Sequence, residues 1–283
     1  MNDESTLLRT IEHFGSALVA YSGGIDSTVV AVAALKVFGV DHMLAVTGDS
    51  PSVARSELAL AQRVADEAGF PWTSVQTQEL QDPRYQINDR SRCYFCKSEL
   101  YGVLESLRMK LGYRVLLDGF NQDDIGDFRP GFKAGQEHRV VSPLKEAGIG
   151  KNAVREIARH WGLSNWNKPA SPCLSSRIPY QTPVTVQRLQ AVESAEAALH
   201  RLGFNQVRVR HHEHAARIEV PTDDFMRILE HREAIVEALK QAGYAFVSLD
   251  LAGFASGSLN TLLDATEPAR EGVGGIRPGV ASD

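Results

Sequence analysis

The stretch ALVAYSGGIDSTVVAVAALKVFG, residues 17–39, decides the fold. Its first five residues, Ala17–Tyr21, form a short apolar run that Ser22-Gly23-Gly24 interrupts. From about Asp26 to Val37 apolar residues continue at helical spacing, so the pattern predicts strand, glycine turn and helix. Such a turn is an anion site: glycines let the backbone approach a ligand, while free N–H groups and the helix dipole face negative charge. A glycine turn capped by Asp26 or Ser27 is the plainer reading. The strand before and the helix after favour the phosphate site. No lysine follows the glycines as the Walker loop requires, which points to a different nucleotide chemistry.

Working outward, HMLAVTGDSPSVARSELALAQRVADEAG (42–69) predicts a strand over Met43–Val46, a turn at Gly48-Asp49-Ser50, and a helix beginning at Ser52 or Ser56. WTSVQTQE (72–79) and YRVLLDGF (113–120) predict a third and a fourth strand. This alternation gives an α/β fold with a doubly wound parallel sheet, whose ligand crevice lies at the carboxyl ends of the strands. Gly48, Asp49 and Ser50 are therefore candidates for adenine or ribose contact. The polar loop DGFNQDDIGDFRPG (118–131) would suit a plain surface, but its place after the fourth strand makes Asn121, Asp123 and Asp124 candidates for nucleotide or magnesium.

The 283 residues are 43% apolar, ordinary for a globular core. The acidic start MNDESTLLRTIEHF lacks the basic and apolar regions of a secretion signal, and the run VVAVAALKVFGV is too short to cross a bilayer. A cytoplasmic protein without membrane attachment is the expectation. The net charge of −5 gives no general attraction to nucleic acid.

There are three cysteines: Cys93 and Cys96 in RCYFC, and Cys173 in KPASPCLSSRIPY (168–180). An odd count in a reducing compartment argues against disulfides. Arg92 and Lys97 flank the C-x-x-C at an expected helix start, a setting that suits thiolates. Structural zinc normally takes four protein ligands, so three leave an open site; a catalytic zinc and inert thiols both stay in play. Three thiolates on a four-iron cluster would leave one iron without a protein ligand. The prolines around Cys173 preclude a regular helix throughout, making Cys173, Ser175, Ser176 and Arg177 loop candidates.

SPLKEAGIGKNAVREIARHWGL (142–163) predicts a turn and then a packing helix from about Lys151, with Lys145 and Arg155 as secondary phosphate candidates. From about Val184 the pattern changes: an amphipathic helix closed by Gly203, strands in QVRVRHH and ARIEVP, a helix over DDFMRILEHREAIVEALKQAG, and a strand in YAFVSLDL. This reads as a small α+β domain. Alternation puts Arg208 and Arg210 on one face, where two guanidiniums suit a phosphate. The expected organisation is a domain over 1–182, a second over 183–266, and a disordered tail over 267–283 rich in glycine, proline and charge.

SGGIDS, Ser22–Ser27, resembles the PP-loop of the ATP pyrophosphatases. Together AYSGGIDS, RCYFCKSELY, SPLKEAGIGKNAVREIARHWGLSNWNKPASPCLSSRIPY and LGFNQVRVRHHEHAARIEV resemble the LarE family of ATP-dependent sulfurtransferases, over about residues 5 to 260. The resemblance implies adenylation of pyridinium-3,5-biscarboxylic acid mononucleotide and its conversion to thiocarboxylate, in the synthesis of the nickel-pincer cofactor of lactate racemase. It implies ATP and magnesium at Ser22, Gly23, Gly24, Asp26 and Ser27, with Asp26, Cys173, Ser176 and Glu196 catalytic. Glu193 is the alternative to Glu196. Arg177, Arg208 and Arg210 would bind substrate or nucleotide. One-cysteine members give up the sulfur at the position of Cys173; members with the C-x-x-C are cluster proteins, so Cys93, Cys96 and Cys173 would hold a 4Fe–4S cluster. A hexamer is implied by the same resemblance, while the sulfide donor is not. A cluster-dependent tRNA thiolase, an amide-forming PP-loop synthetase and a non-catalytic nucleotide- or metal-binding regulator are the competing readings.

Overall fold

The computed structural model describes residues 3–126, 130–169 and 171–255. The chain opens with α1 (Asp3–Glu12), β1 (Ala17–Ala20), α2 (Ile25–Phe38), β2 (Met43–Asp49), α3 (Arg55–Ala68), β3 (Trp72–Gln76), α4 (Pro83–Gln86), α5 (Arg92–Leu111) and β4 (Val115–Leu117). The four strands are parallel in the order β3-β2-β1-β4, and a bridge from Leu117 to Val141 extends the edge. α6 (Pro130–Glu137), α7 (Pro143–Glu146) and α8 (Lys151–His160) follow.

Side chains alternate across a strand, so β1 feeds two cores. Ala17 and Val19 join Leu7, Val30, Ala61 and Ile157 on the face of α1, α2, α3 and α8. Leu18 and Ala20 join Val46, Tyr101, Leu104 and Ala134 on the face of α5 and α6. A sheet covered on both faces is the doubly wound arrangement expected, and it explains why α2 is apolar on nearly every side.

α9 (Val186–Arg201) leads to β5 (Arg208–His212), β6 (Ala215–Glu219), α10 (Phe225–Glu230), α11 (Arg232–Gln241) and β7 (Phe246–Leu249). β5 and β6 are antiparallel, β6 and β7 parallel. Their own core gathers Leu199, Phe204, Val209, Ile218, Ile228, Ile235 and Leu239. A further cluster spans both units: Leu189 and Val192 of α9 meet Tyr85, Leu174, Ile178 and Val184.

Several expectations need correction. The second strand runs on to Asp49, so Gly48 and Asp49 are strand residues rather than a turn; pairing with β3 through Gly48↔Val75 and Asp49↔Gln76 holds them extended. Neither Ser52 nor Ser56 caps α3; the Arg55 amide donates instead to Glu193 Oε1 at 2.5 Å. Residues 118–131 are not wholly loop, since a 3₁₀ turn covers Gln122–Gly126 and α6 starts at Pro130. The single helix expected after Asp223 breaks at His231, which lets Ile228 and Ile235 both reach the core. The tail 267–283 lies outside the described residues. No helix among the described residues is long and apolar enough to cross a membrane.

His211 on β5 is buried on the core side, beside the Tyr244 hydroxyl at 3.3 Å. Burial first, then the positive field of Arg188 and His212, holds its pKa below the ordinary value, with Glu213 opposing; burial also lowers His212, with Arg217 and Arg210 adding. The unfolded chain therefore binds more protons over the window below the ordinary histidine value of about 6.5, and stability falls as pH drops through it. Urea unfolding between about pH 7 and pH 5 is expected to show this loss, with a shallower slope in His211→Phe.

Candidate active site

The loop Ser22–Gly24 joins β1 to α2 at the carboxyl end of the sheet. Gly23 has φ of 72°, and a Cβ there would meet Ala61 Cβ at 2.9 Å, so both conformation and space require glycine. Ser22 Oγ and Ser27 Oγ lie 3.1 Å apart; the Gly24 amide donates to Ser22 Oγ at 3.3 Å, and Ser27 Oγ donates to the Gly24 carbonyl at 3.0 Å. Gly119, just after β4, lies against the first turn of α2, where a Cβ would stand 2.6 Å from the Ser27 nitrogen.

That close approach brings the acids of 121–124 to the loop. Asn121 Nδ2 donates to Asp26 Oδ1 at 2.7 Å. Asp124 Oδ1 is 3.3 Å from Lys151 Nζ, and Asp123 Oδ2 accepts from the Lys151 amide at 2.7 Å, at the start of α8. Burial raises the Asp26 pKa, and the neighbouring Asp124 carboxylate adds to the rise, against the Asn121 bond and Lys151. Two carboxylates in one partly desolvated place are a setting that a divalent cation would relieve.

Of the adenine candidates, Gly48 leaves room for Leu100, whose Cδ1 would be 2.8 Å from a Cβ there. Asp49 pairs with Arg55 at 2.6 Å and accepts from Gln76 at 2.8 Å. Ser50 is turned inward, its hydroxyl donating to buried Glu79 at 2.5 Å.

Cys93 and Cys96 sit in the first turns of α5, and Cys173 precedes the 3₁₀ turn Leu174–Arg177; all three are free thiols. The three thiols stand within one another's electrostatic reach. The expectation of ready thiolates fails for the pair on α5. Desolvation raises the partly buried Cys96, with Glu79 adding to the rise; Cys93, although exposed at the surface, is raised less, by crowding from surrounding protein and then by the Cys173 thiol, against Arg92. Flanking cations at a helix start are outweighed by desolvation. Among the described residues no three His, Cys, Asp or Glu side chains are gathered as ligands of one metal ion. Cluster thiolates bind separate irons and do not have to converge on one point.

The cysteine-bearing turn is fastened on every side. The Leu174 amide donates to the Ser52 carbonyl at 2.9 Å, beyond β2. Tyr85 OH bridges Ser52 Oγ at 2.7 Å and Ser175 Oγ at 2.6 Å. Buried Arg92 donates to the Ser175 carbonyl at 2.9 Å. Arg177 donates from one nitrogen to the carbonyls of Pro172 and Cys173 and to Ser176 Oγ, at 2.6, 3.1 and 3.0 Å. Its other nitrogens grip Glu196 bidentately at 2.9 and 3.0 Å. Glu196 also accepts from the Val209 amide at 2.9 Å.

Arg208 and Arg210 share a face of β5, as the alternation predicts, but that face is buried rather than solvated. Arg210 pairs bidentately with Glu219 and donates to the Ser176 carbonyl at 2.8 Å. Arg208 stacks on Phe254, and burial, then Arg210 and Arg177, lower its pKa. Three guanidiniums thus crowd behind the Cys173 turn against two carboxylates, Glu196 and Glu219, which leaves the group net positive toward an anion. Glu193 is placed elsewhere, at the start of α3. Sequence reasoning missed Tyr85, Glu79, Glu219 and Asn165, and saw Arg92 only as a cation beside the thiols; their partners are distant in sequence, and no local pattern marks them.

A family model described as NAD synthase matches residues 7–100. The chain is 45% identical over 265 residues to the uncharacterized protein slr1717 of Synechocystis sp., covering 92% of this chain and 98% of the relative. It is 37% identical over 260 residues to the pyridinium-3,5-bisthiocarboxylic acid mononucleotide synthase of Lactiplantibacillus plantarum, covering 92% and 94%. A GMP synthase of Aeropyrum pernix is 28% identical over 208 residues, 64% of this chain and 38% of that protein. Parallel sheet, glycine loop and these matches define an ATP-using enzyme of the PP-loop class. Within that class the chain belongs to the LarE family.

Proposed function

We propose that this chain is an ATP-dependent sulfurtransferase acting on pyridinium-3,5-biscarboxylic acid mononucleotide, the acid from which the product named for the Lactiplantibacillus relative derives. The observation that carries the reading is the fastening of Cys173 between Ser52, beyond β2, and the guanidiniums of Arg177 and Arg210. The segment that follows β2, a thiol and an anion-attracting face are thereby joined by one short turn.

The chemistry has two stages. A substrate carboxylate oxygen attacks the α-phosphorus of ATP, and the bond to pyrophosphate breaks. Ser22, Ser27 and the loop amides receive the departing pyrophosphate charge, and the helix dipole of α2 stabilises it. Asp26 and Asp124 would hold magnesium, which supplies charge neutralisation on the phosphates. A sulfur nucleophile then adds to the acyl carbon and AMP leaves with the electron pair of its C–O bond, giving the thiocarboxylate. Arg208 and Arg210 supply positive charge toward the substrate phosphate, Arg210 from within its pair with Glu219, while Arg177, Ser176 and Glu196 orient the turn that presents Cys173.

The donor set fits a 4Fe–4S cluster at Cys93, Cys96 and Cys173: three free thiols, two of them exposed, near the buried cation Arg92. When bound, that group would supply transferable sulfide at the iron lacking a protein ligand. Free thiols suit a reducing cytoplasm. Exposed Met226, Leu229, Phe246 and Leu251 offer apolar surface for a homo-oligomer.

Iron, acid-labile sulfide and intact mass on one anaerobically reconstituted sample test the reading, before and after reaction with ATP and substrate. About four irons per chain, product formed and an unchanged protein mass are expected for the cluster route. Product with no iron and loss of one H₂S at Cys173 would replace that route by a sacrificial one. Pyrophosphate release without any thiocarboxylate would overturn the sulfurtransferase itself.

A further inference from the structure

Asn165 follows α8 in the segment that leads to Cys173, and it is buried. Its Nδ2 donates to the Gly23 carbonyl at 3.2 Å and to Thr28 Oγ1 at 2.9 Å, 142 and 137 residues away. Thr28 Oγ1 in turn donates to the Gly24 carbonyl at 2.9 Å. One amide thus holds two consecutive carbonyls of the glycine turn, the first directly and the second through a hydroxyl.

A planar trans peptide points its C=O and the following N–H in opposite directions. Holding the Gly23 and Gly24 carbonyls toward Asn165 therefore turns the amides of Gly24 and Ile25 the other way, toward the open side of the loop where Ser22 Oγ already meets the Gly24 amide. The Gly24 carbonyl is also held by the Thr28 amide at 3.0 Å and by Ser27 Oγ at 3.0 Å, so the peptide that depends most on Asn165 is the one after Gly23, whose φ of 72° lies where glycine moves freely. The donor assignment follows from the site, since an amide turned the other way would set its oxygen against the Gly23 carbonyl.

Asn165 also marks the start of a strap. Ser164 donates to Glu67 and Lys168 pairs with Glu57, both on α3, before the chain reaches Cys173 and the bond from the Leu174 amide to Ser52. We propose that Asn165 is a positioning residue that sets the anion-binding orientation of the Ser22–Ser27 loop and ties it mechanically to the Cys173 segment. This rests on the reading of that loop as the pyrophosphate site.

The test uses the full chain and two readouts: pyrophosphate affinity by calorimetry, and the alkylation rate of Cys173 by iodoacetamide with and without pyrophosphate, followed by peptide mass. Wild type must first bind pyrophosphate, since failure there sinks the loop reading and not Asn165's share in it. Asn165→Ala is expected to weaken pyrophosphate binding about tenfold, as for one or two lost buried hydrogen bonds, and to uncouple Cys173 alkylation from pyrophosphate. Asn165→Asp should be weaker still, because a carboxylate faces both the Gly23 carbonyl and the ligand charge. Thr28→Val, which removes only the bridge to Gly24, should fall between wild type and Asn165→Ala. Folded Asn165→Ala with wild-type affinity and unchanged coupling would overturn the proposal, as would a lowered melting temperature as its only defect. If Asn165→Ala does not fold, the Thr28→Val affinity decides.

Discussion

Cys173→Ala is expected to abolish thiocarboxylate formation, a loss beyond about a thousandfold, while substrate-dependent pyrophosphate release stays within a few-fold of wild type. The reasoning is geometric. The thiol lies at the end of the turn whose neighbours Leu174 and Ser175 are fixed by backbone and hydroxyl bonds, so removing one sulfur leaves those anchors in place. Adenylation uses the glycine turn and its acids, none of which touches Cys173. Parallel measurement of released pyrophosphate and of product mass separates the two stages. Repeated turnover by this variant would remove Cys173 from sulfur delivery by either route.

Glu196→Gln is expected to be the most destabilising single change among the proposed site residues, costing about 3 kcal/mol or more. Arg177 and Glu196 are 6% and 7% exposed, so the pair is nearly dry. Removing the carboxylate charge strands the guanidinium, takes the Val209 amide's charged acceptor, and frees the turn that Arg177 grips. Urea unfolding should show a lower midpoint with a similar slope. The compensating double variant Arg177→Met, Glu196→Leu should recover much of the stability while sulfur transfer stays lost, because an apolar pair fills the space but no longer holds the Pro172 and Cys173 carbonyls. Retained sulfur transfer in that double variant would show that this grip has no part in the reaction.

What the sequence made legible is local. Strand, glycine turn and helix over 17–38 follow from a change of period around two glycines, and the buried helix over 151–160 from Val154, Ile157 and Ala158. The Arg208 and Arg210 pairing on one face needed only the two-residue repeat of a strand. What stayed hidden depends on which distant surfaces close on one another. Glu193, a possible site acid by sequence, accepts the first amide of α3. Ser52, a possible helix cap by sequence, holds Tyr85. Arg92 and Lys97 favour thiolates at Cys93 and Cys96, but the protein packed around the C-x-x-C turn and the neighbouring Cys173 and Glu79 push both the other way. The expected boundary near 182 also gives no hint that Leu189 and Val192, beyond it, share a cluster with Leu174 and Ile178 before it.

That shared cluster has a consequence for how such proteins change over time. The turn bearing Cys173 is walled on one side by α9, so the second unit is not a cargo module that can be exchanged for another. A lineage that lost it, or a grafted chimera joined at the linker, would inherit a raw apolar seam beside Cys173. Any substitute must match Leu174, Ile178 and Val184 in shape before it can offer a new substrate pocket. Specificity in this architecture is therefore expected to drift by substitution along β5, beside this apolar weld, rather than by shuffling of whole units.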